Sequence, residues 1–297
     1  MNAETMAKAL GGRKIGAVWM ARCPAHDDRE PSLSITEAHD GKVLVCCHAQ
    51  CEQASVVSAL RARGLWGLAA VNRAPAPGRE SRRADVSKRC AAERTEAALA
   101  IWRDAKPGAG TPAQKYLAER GLHLSIPPSL RFHPGLKHPS GGLWPAMVAL
   151  VTRGADGTPM AIHRTFLAPA GSGKAPVAPP KMMLGPCRGG AVQLGAPQRL
   201  LMVGEGIETC LAAMQATGYP TWAALSTSGL RSLEVPAVVS EIIVLADGDQ
   251  AGEAAARDCA TRWKQEGRRA CIARPPWGYD FNDVLLGDAP LEVEDAA

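Results

Sequence analysis

The sequence predicts a protein of several modules: a small cysteine-rich module first, then a mixed α+β segment, then an α/β core. Three observations indicate this order. Four of the nine cysteines are bunched between positions 23 and 51. Strand-like and helix-like segments alternate irregularly through the middle of the chain. Finally, Arg199–Met214 and Glu241–Ala256 each contain a short apolar run, a Gly-rich acidic turn and an Ala-rich stretch of helical length.

Acidic residues follow the two apolar runs of the predicted core directly. Glu205 comes after Leu200–Val203, and Asp247 and Asp249 come after Ile242–Ala246. If the two strands are parallel neighbours, the three carboxylates converge at the carboxyl ends of the strands, where open α/β sheets bind ligands. Grouped carboxylates are ligands that suit Mg²⁺. The alternative is that each acidic segment is an ordinary surface turn.

This pair of segments, GEGIET followed by ADGDQAG, resembles the Toprim domain. That domain is shared by bacterial-type DNA primases, type IA and II topoisomerases, recombination-mediator proteins and certain nucleases. The resemblance implies a compact Rossmann-like sheet flanked by helices. It also implies that Glu205, Asp247 and Asp249 are catalytic acids that hold Mg²⁺.

A further acidic cluster lies in PPWGYDFNDVLL, near the end of the chain. Primases have acidic residues at a similar third position, and on that resemblance Asp280 is a further magnesium ligand. Asn282 and Asp283 can instead cap the helix that follows, and the two roles are compatible.

The amino-terminal module contains two pairs of metal-ligand residues at knuckle spacing. Cys23 and His26 form the first pair, and Cys47 and Cys51 form the second. Between them lie two strand-like runs joined by an Asp40-Gly41 turn, so a hairpin would bring the pairs together. Three cysteines and one histidine predict a structural, tetrahedral Zn²⁺ site in a zinc-ribbon-like module.

The segment CPAHDDREPSLSI is similar to the zinc-binding domain of bacterial and phage primases. This chain departs from that pattern by having three residues between its last two cysteines. The departure leaves open whether Cys46 or His48 replaces Cys47 as a ligand. Neighbouring strand residues point to opposite faces, so Cys46 faces away if Cys47 faces the metal.

Basic residues are concentrated in one part of the chain. The formal net charge is +5, and residues 61–104 contain ten Lys or Arg against five Asp or Glu. A basic connector is compatible with nucleic-acid contact, although a soluble linker would look the same. No apolar stretch is long enough to span a membrane and the start lacks signal-peptide features, so we expect a cytoplasmic protein without structural disulfides.

The middle segment Ile162–Gly185 places Arg164, Lys174 and Lys181 among glycines and prolines. It is loosely similar to the stretch that precedes the Toprim core in bacterial primases. On that resemblance these cations bind nucleoside triphosphate or the template backbone. The alternative is that they are solvated loop charges.

These features divide the chain into five predicted parts. They are a zinc-binding domain (1–68), a basic flexible linker (69–89), an α+β subdomain (90–198), a Toprim domain (199–287) and an acidic tail (288–297).

The arrangement resembles a DNA primase of phages and mobile elements. That resemblance implies Mg²⁺-dependent synthesis of RNA primers on a single-stranded DNA template from nucleoside triphosphates, with any replicative helicase a separate partner. Two alternatives remain at this stage: a Toprim nuclease, and a non-catalytic accessory protein that binds single-stranded DNA.

Overall fold

The computed structural model describes residues 2–16, 18–28, 31–37, 42–49, 51–66, 79–246, 250–276, 279, 281–287 and 292–295. The chain divides into two compact units, Met1–Arg82 and Arg83–Ala297.

The first unit is a four-stranded antiparallel sheet with helices. Its elements are α1 (Ala3–Ala9), β1 (Arg13–Ile15), β2 (Val18–Ala21), β3 (Leu33–Glu37), β4 (Val43–Cys47) and α2 (Gln53–Ala62). The strands pair in the order β1-β2-β3-β4. Strands β3 and β4 form the predicted hairpin, although its Asp40-Gly41 turn lies outside the described residues.

Apolar side chains from both helices and from strands β2, β3 and β4 form the core of this unit. Leu33 and Ile35 of β3 are fully buried, and Val56 and Leu60 pack onto them from one face of α2. Helix α2 ends before Gly64, whose φ of +67° is a conformation that glycine adopts without steric cost. The core is small, and a metal site is a common additional source of stability in units of this size.

The second unit is built on one large mixed sheet. Its elements are α3 (Arg79–Asp104), β5 (Lys106–Pro107), α4 (Pro112–Ala118), β6 (Leu130–Lys137), β7 (Leu143–Arg153), β8 (Pro159–Phe166), β9 (Lys181–Leu184), β10 (Gly190–Gln193), β11 (Leu200–Gly204), α5 (Ile207–Thr217), β12 (Thr221–Ala223), α6 (Thr227–Ser232), β13 (Glu241–Leu245), α7 (Gln250–Gln265), β14 (Arg269–Arg274), α8 (Phe281–Leu286) and β15 (Glu292–Asp295).

The amino-terminal half of this sheet is antiparallel. Strands β7 and β8 form a hairpin; β6 pairs with the outer side of β7, and β9 pairs with the outer side of β8. Helix α3 covers one face, where Ala98 packs with Ile162 and Phe166. Helix α4 covers the other face, and its first turn is capped by Thr111, whose side chain accepts a hydrogen bond from the Ala113 amide.

Helix α3 differs from the prediction at its start. It begins at Arg79, inside the segment expected to be a flexible linker. A run of charged residues with few helix breakers continues a helix that packing anchors further on. Residues 69–78 of the expected linker lie outside the described part of the chain.

The carboxyl-terminal half of the sheet is parallel and confirms the predicted α/β fold class. Strands β12, β11, β13 and β14 lie side by side, with Gly204 in register with Leu245. Helices α5 and α8 pack in a hydrophobic core on one face of these strands. Helices α6 and α7 pack in a second core on the other face. The carboxyl ends of β11 and β13 therefore meet at one edge.

Two strands at the margins of this half were not predicted. Strand β10 pairs with β7 on one side and with β12 on the other, so both halves belong to one continuous sheet. Strand β15 pairs with β14, so the residues expected to form an acidic tail contribute an edge strand instead. An ion pair between Arg274 and Glu294 joins these two strands.

None of the nine cysteines forms a disulfide, and all of them lie among the described residues. Within the same residues, the helices are too short or too polar to traverse a lipid bilayer.

Candidate metal centre and carboxylate cavity

The first unit brings the four predicted zinc ligands together. The ligand atoms of Cys23, His26, Cys47 and Cys51 all lie within 4.8 Å of one another. His26 Nδ1 lies 3.2 Å from Cys51 Sγ and 4.0 Å from Cys47 Sγ. Tetrahedral Zn²⁺ with ligands at about 2.0 to 2.3 Å requires separations of this size. The donor set and its spacing therefore fit a structural zinc ion.

Asp28 supports this cluster, and its role was not predicted from the sequence. Its carboxylate lies 3.5 Å from His26 Nε2, the ring nitrogen remote from the cysteines. It also accepts hydrogen bonds from the Cys23 amide and from the amide and hydroxyl of Ser32. Burial raises the pKa of Asp28, but these donors outweigh it and lower the pKa below its ordinary value. A carboxylate in this position orients a metal-binding imidazole.

Cys46 lies on the other side of β4 from this cluster. Its side chain is exposed, whereas Cys47 is buried within the cluster. The alternation along the strand therefore favours Cys47 as the ligand, as the spacing predicted.

In the second unit, Glu205 lies directly beyond β11, at the edge where β11 and β13 end. The end of β11 packs closely against α5 and β13, because a Cβ added at Gly204 would lie 3.0 Å from Cys210 Sγ and 3.2 Å from Leu245 Cβ. Glu205 is half-buried and lines a cavity of about 280 Å³. The other predicted acids, Asp247, Asp249 and Asp280, lie outside the described residues.

The cavity beside Glu205 also contains cationic and neutral polar groups. Lys181, predicted as a phosphate ligand, reaches it from the start of β9. Arg120 and His163 line it as well, from the loop after α4 and from β8. Arg120 makes no ion pair with a carboxylate in the described part of the chain. Its guanidinium lies 5.9 Å from the Tyr116 ring.

A second glutamate, Glu208, holds Lys181 in place. Its carboxylate accepts a hydrogen bond from Lys181 Nζ at 2.9 Å and one from the Tyr116 hydroxyl at 2.7 Å. Burial raises the pKa of Glu208, but the Lys181 charge and these two hydrogen bonds outweigh it and lower the pKa to about 2. Burial and the Glu208 charge raise the pKa of Tyr116. The network is therefore a protonated tyrosine and a lysine sharing one carboxylate.

The backbone beside this cavity is strained at one residue. Leu225, which lines the cavity, has a φ of +70°, a conformation that is a genuine outlier for a bulky side chain. Its amide donates a hydrogen bond to the Glu205 carbonyl at 2.9 Å. This bond fixes the residue that carries the candidate catalytic carboxylate, and strained residues are concentrated at functional sites.

The other two predicted cations lie elsewhere. Arg164 is on the opposite face of β8 from His163, where its guanidinium lies 5.7 Å from the Phe166 ring and donates to the Met183 carbonyl. Lys174 is exposed; partial burial and the charges of Lys181 and Arg120 lower its pKa. The structure therefore brings Lys181 to the cavity, places Lys174 within electrostatic range of it, and does not bring Arg164 there.

Sequence reasoning missed four residues of this cavity and its support: Tyr116, Arg120, His163 and Glu208. Glu208 had a detectable signal, because it lies three residues after Glu205 in the same motif. The other three come from segments far away in the sequence and carry no recognisable pattern.

Comparison with known families identifies two segments of the second unit. Residues 200–289 match the family described as the Toprim domain, and residues 92–194 match a family described as a domain of unknown function, DUF7146. No curated protein sequence matches the chain.

Solved structures of primases align with much of this chain. The zinc-binding and RNA polymerase domains of the Aquifex aeolicus primase align over 97% of this chain and 83% of that one, with 13% identity and a TM-score of 0.44. A DnaG catalytic core aligns over 67% and 76%, with 17% identity and a TM-score of 0.45. The primase fragment of the bacteriophage T7 primase-helicase aligns over 62% and 70%, with 17% identity and a TM-score of 0.40.

These scores are too low to transfer an activity. The sequence match does identify the domain that carries Glu205 and the parallel strands, and residues 200–289 of this chain are a Toprim domain.

Proposed function

We propose that the protein is a DNA primase that joins nucleoside triphosphates into short RNA primers on single-stranded DNA. One observation carries the proposal: a Toprim glutamate, Glu205, shares a cavity with Lys181 and Arg120. Nucleotidyl transfer needs carboxylates for metal ions and cations for phosphate groups in one place.

The cavity residues have complementary roles in this reaction. Glu205, with Asp247 and Asp249, would hold Mg²⁺, which when bound neutralises the triphosphate and aligns the attacking 3′-hydroxyl. Glu205 would hold a second ion or would accept the proton of that hydroxyl. Lys181 and Arg120 bind phosphate oxygens, and Lys174 adds positive potential at the entrance. The 3′-hydroxyl bonds to the α-phosphorus and pyrophosphate leaves.

The first unit supplies a surface suited to the template. Arg13, Arg22 and Arg63 come from three different segments and line one cleft of about 660 Å³. All three side chains are exposed, and none forms an ion pair with a carboxylate within the described residues. Arginines without internal partners suit the phosphate backbone of a nucleic acid. We assign this cleft to single-stranded DNA.

The deciding experiment is incubation of the purified protein with Mg²⁺, single-stranded DNA and labelled nucleoside triphosphates. New labelled oligonucleotides, absent with the Glu205→Gln variant, support the primase. Shortening of the DNA without synthesis indicates a Toprim nuclease. Retention of DNA with neither reaction indicates a binding protein. The matched control is Glu119→Gln, since Glu119 is exposed at the end of α4 and pairs only with Lys115 in the described structure.

A further inference from the structure

His163 lines the cavity but has no role in the proposed chemistry. It lies on β8, in register with Ala149 on one side and Met183 on the other, and only 7% of its surface is exposed. Its ring lines the cavity together with Glu205 and Lys181. Its Nδ1 atom is enclosed and has no hydrogen-bond partner in the described part of the chain. A buried polar atom left without a partner is costly, so its retention calls for an explanation.

The imidazole is not one of the phosphate-binding cations of the cavity. Burial is the main reason, and the nearby Lys181 charge adds to it. Together with a smaller contribution from Arg164, they outweigh the opposing Glu208 charge and lower the pKa of His163 to about 4. At neutral pH the ring therefore offers one N–H donor and one nitrogen acceptor and carries no charge.

A nucleoside triphosphate presents three kinds of group to such a ring. The phosphates are anionic and are matched by the cationic side chains of Lys181 and Arg120. The base is read by pairing with the template if synthesis is template-directed, so a contact specific to one base would be a disadvantage. The sugar hydroxyls are neutral, both donate and accept, and are common to all four nucleotides.

We propose that His163 binds a sugar hydroxyl of the incoming nucleotide, and so favours nucleotides that carry this hydroxyl. The inference rests on the proposed function and specifies which part of the substrate each cavity residue recognises. A neutral hydrogen bond contributes about a three- to tenfold difference in affinity, which sets the expected size of the preference.

The test is equilibrium binding, by calorimetry with Mg²⁺, of ATP, 2′-deoxy-ATP and 3′-deoxy-ATP to the full-length protein. The parent should bind ATP at least about threefold more tightly than one of the two deoxy analogues, and the weaker analogue identifies the hydroxyl. The His163→Phe variant should lose this preference, and His163→Gln, which keeps a donor and an acceptor, should retain part of it. Lys181→Gln should weaken all three ligands by the same factor.

Three outcomes overturn the inference: a parent that binds all three ligands equally, a His163→Phe variant that keeps the preference, or one that weakens all three equally. The parent measurement needs no substitution, so the test stands even if His163→Phe fails to fold. Binding is also separate from synthesis. If the parent distinguishes ATP from a deoxy analogue but makes no primers, the primase proposal is refuted and the hydroxyl contact is supported. If the parent makes primers but binds all three ligands equally, the primase proposal is supported and the hydroxyl contact is refuted. No nucleotide binding refutes both.

Discussion

The zinc cluster and the Toprim cavity are assembled in opposite ways. All four zinc ligands come from one stretch of fewer than thirty residues and meet across a single hairpin. The cavity is lined by residues from the loop after α4 and from β8, β9 and α5, and the Tyr116–Glu208 hydrogen bond that supports it spans 92 positions. The first unit has a small core, to which a bound zinc ion would add stability, whereas the second unit has a large core that packs around its polar groups.

The largest effect is expected when the zinc site is removed. We expect Cys23→Ser or chelation to unfold the first unit, because zinc binding in small domains contributes about 10 to 16 kcal/mol to folding. Hydrogen exchange should rise over residues 2–66 and stay unchanged over the sheet of the second unit. Cys46→Ser is the matched control and should change neither. Loss of zinc in that variant would make Cys46 a ligand.

Substitution of the Toprim acids should lower activity without lowering stability. Glu205→Gln keeps the shape of the side chain but removes a charge, so we expect nucleotidyl transfer to fall by at least about a hundredfold. The melting temperature without metal should stay the same or rise slightly, since crowded carboxylates repel one another. Asp247→Asn and Asp249→Asn should give the same result. Unfolding of all three variants would make these acids structural turn residues.

Glu208 should contribute to stability in a pH-dependent way. Its pKa in the folded protein is about 2, below its ordinary value of 4.5, so the unfolded chain binds the proton more readily. The contribution, roughly 3 kcal/mol, is therefore complete above pH 4.5 and is lost as the pH falls towards 2. The difference in unfolding free energy between the parent and Glu208→Gln, measured by urea denaturation, should shrink over that range. A constant difference would contradict the assignment.

Tyr116→Phe should have a smaller effect. It removes one hydrogen bond to a carboxylate while keeping the buried ring, which corresponds to about 1.5 to 3 kcal/mol. Thermal unfolding of the second unit measures it. Tyr219→Phe is the control, because that tyrosine is 47% exposed. Equal stability of the two variants would show that the Tyr116 hydroxyl does not stabilise Glu208.

The smallest effect is expected in the arginine cleft. Replacing Arg13, Arg22 or Arg63 by Gln should each lower the slope of log affinity for single-stranded DNA against log salt by about 0.7. Lys8→Gln is the control, because Lys8 already pairs with Glu4 in the same unit. Unchanged slopes in all three arginine variants would show that the template does not bind in this cleft.

Much of the fold was predictable because short sequence patterns indicate its elements. Paired ligand spacings indicated the cysteine cluster, and acids placed directly after apolar runs indicated the parallel strands β11 and β13. Strand β10 is only four residues long and shows no alternation, so its pairing on both sides had no local signal. The extended start of α3 and the edge strand β15 likewise depend on the elements they pack against.

The candidate site was less predictable for the same reason. Lys181 was found through a resemblance, but its partner Glu208 and the hydroxyl of Tyr116 are determined by packing between segments far apart in the sequence. Arg164 and His163 are adjacent on β8, and the sequence favoured Arg164 because its charge suits phosphate. The pleat of the strand directs Arg164 away from the cavity and His163 into it.

The strand β10 has a consequence for how the second unit can be divided. It is hydrogen-bonded to the DUF7146 segment through β7 and to the Toprim segment through β12. Residues 200–289 expressed alone would therefore leave the edge of β12 unpaired, and an exposed edge invites association with other chains. The two segments match different sequence families, but hydrogen bonds join their strands in one sheet. The strand that carries Lys181 and the strand that Glu205 follows therefore belong to the same sheet.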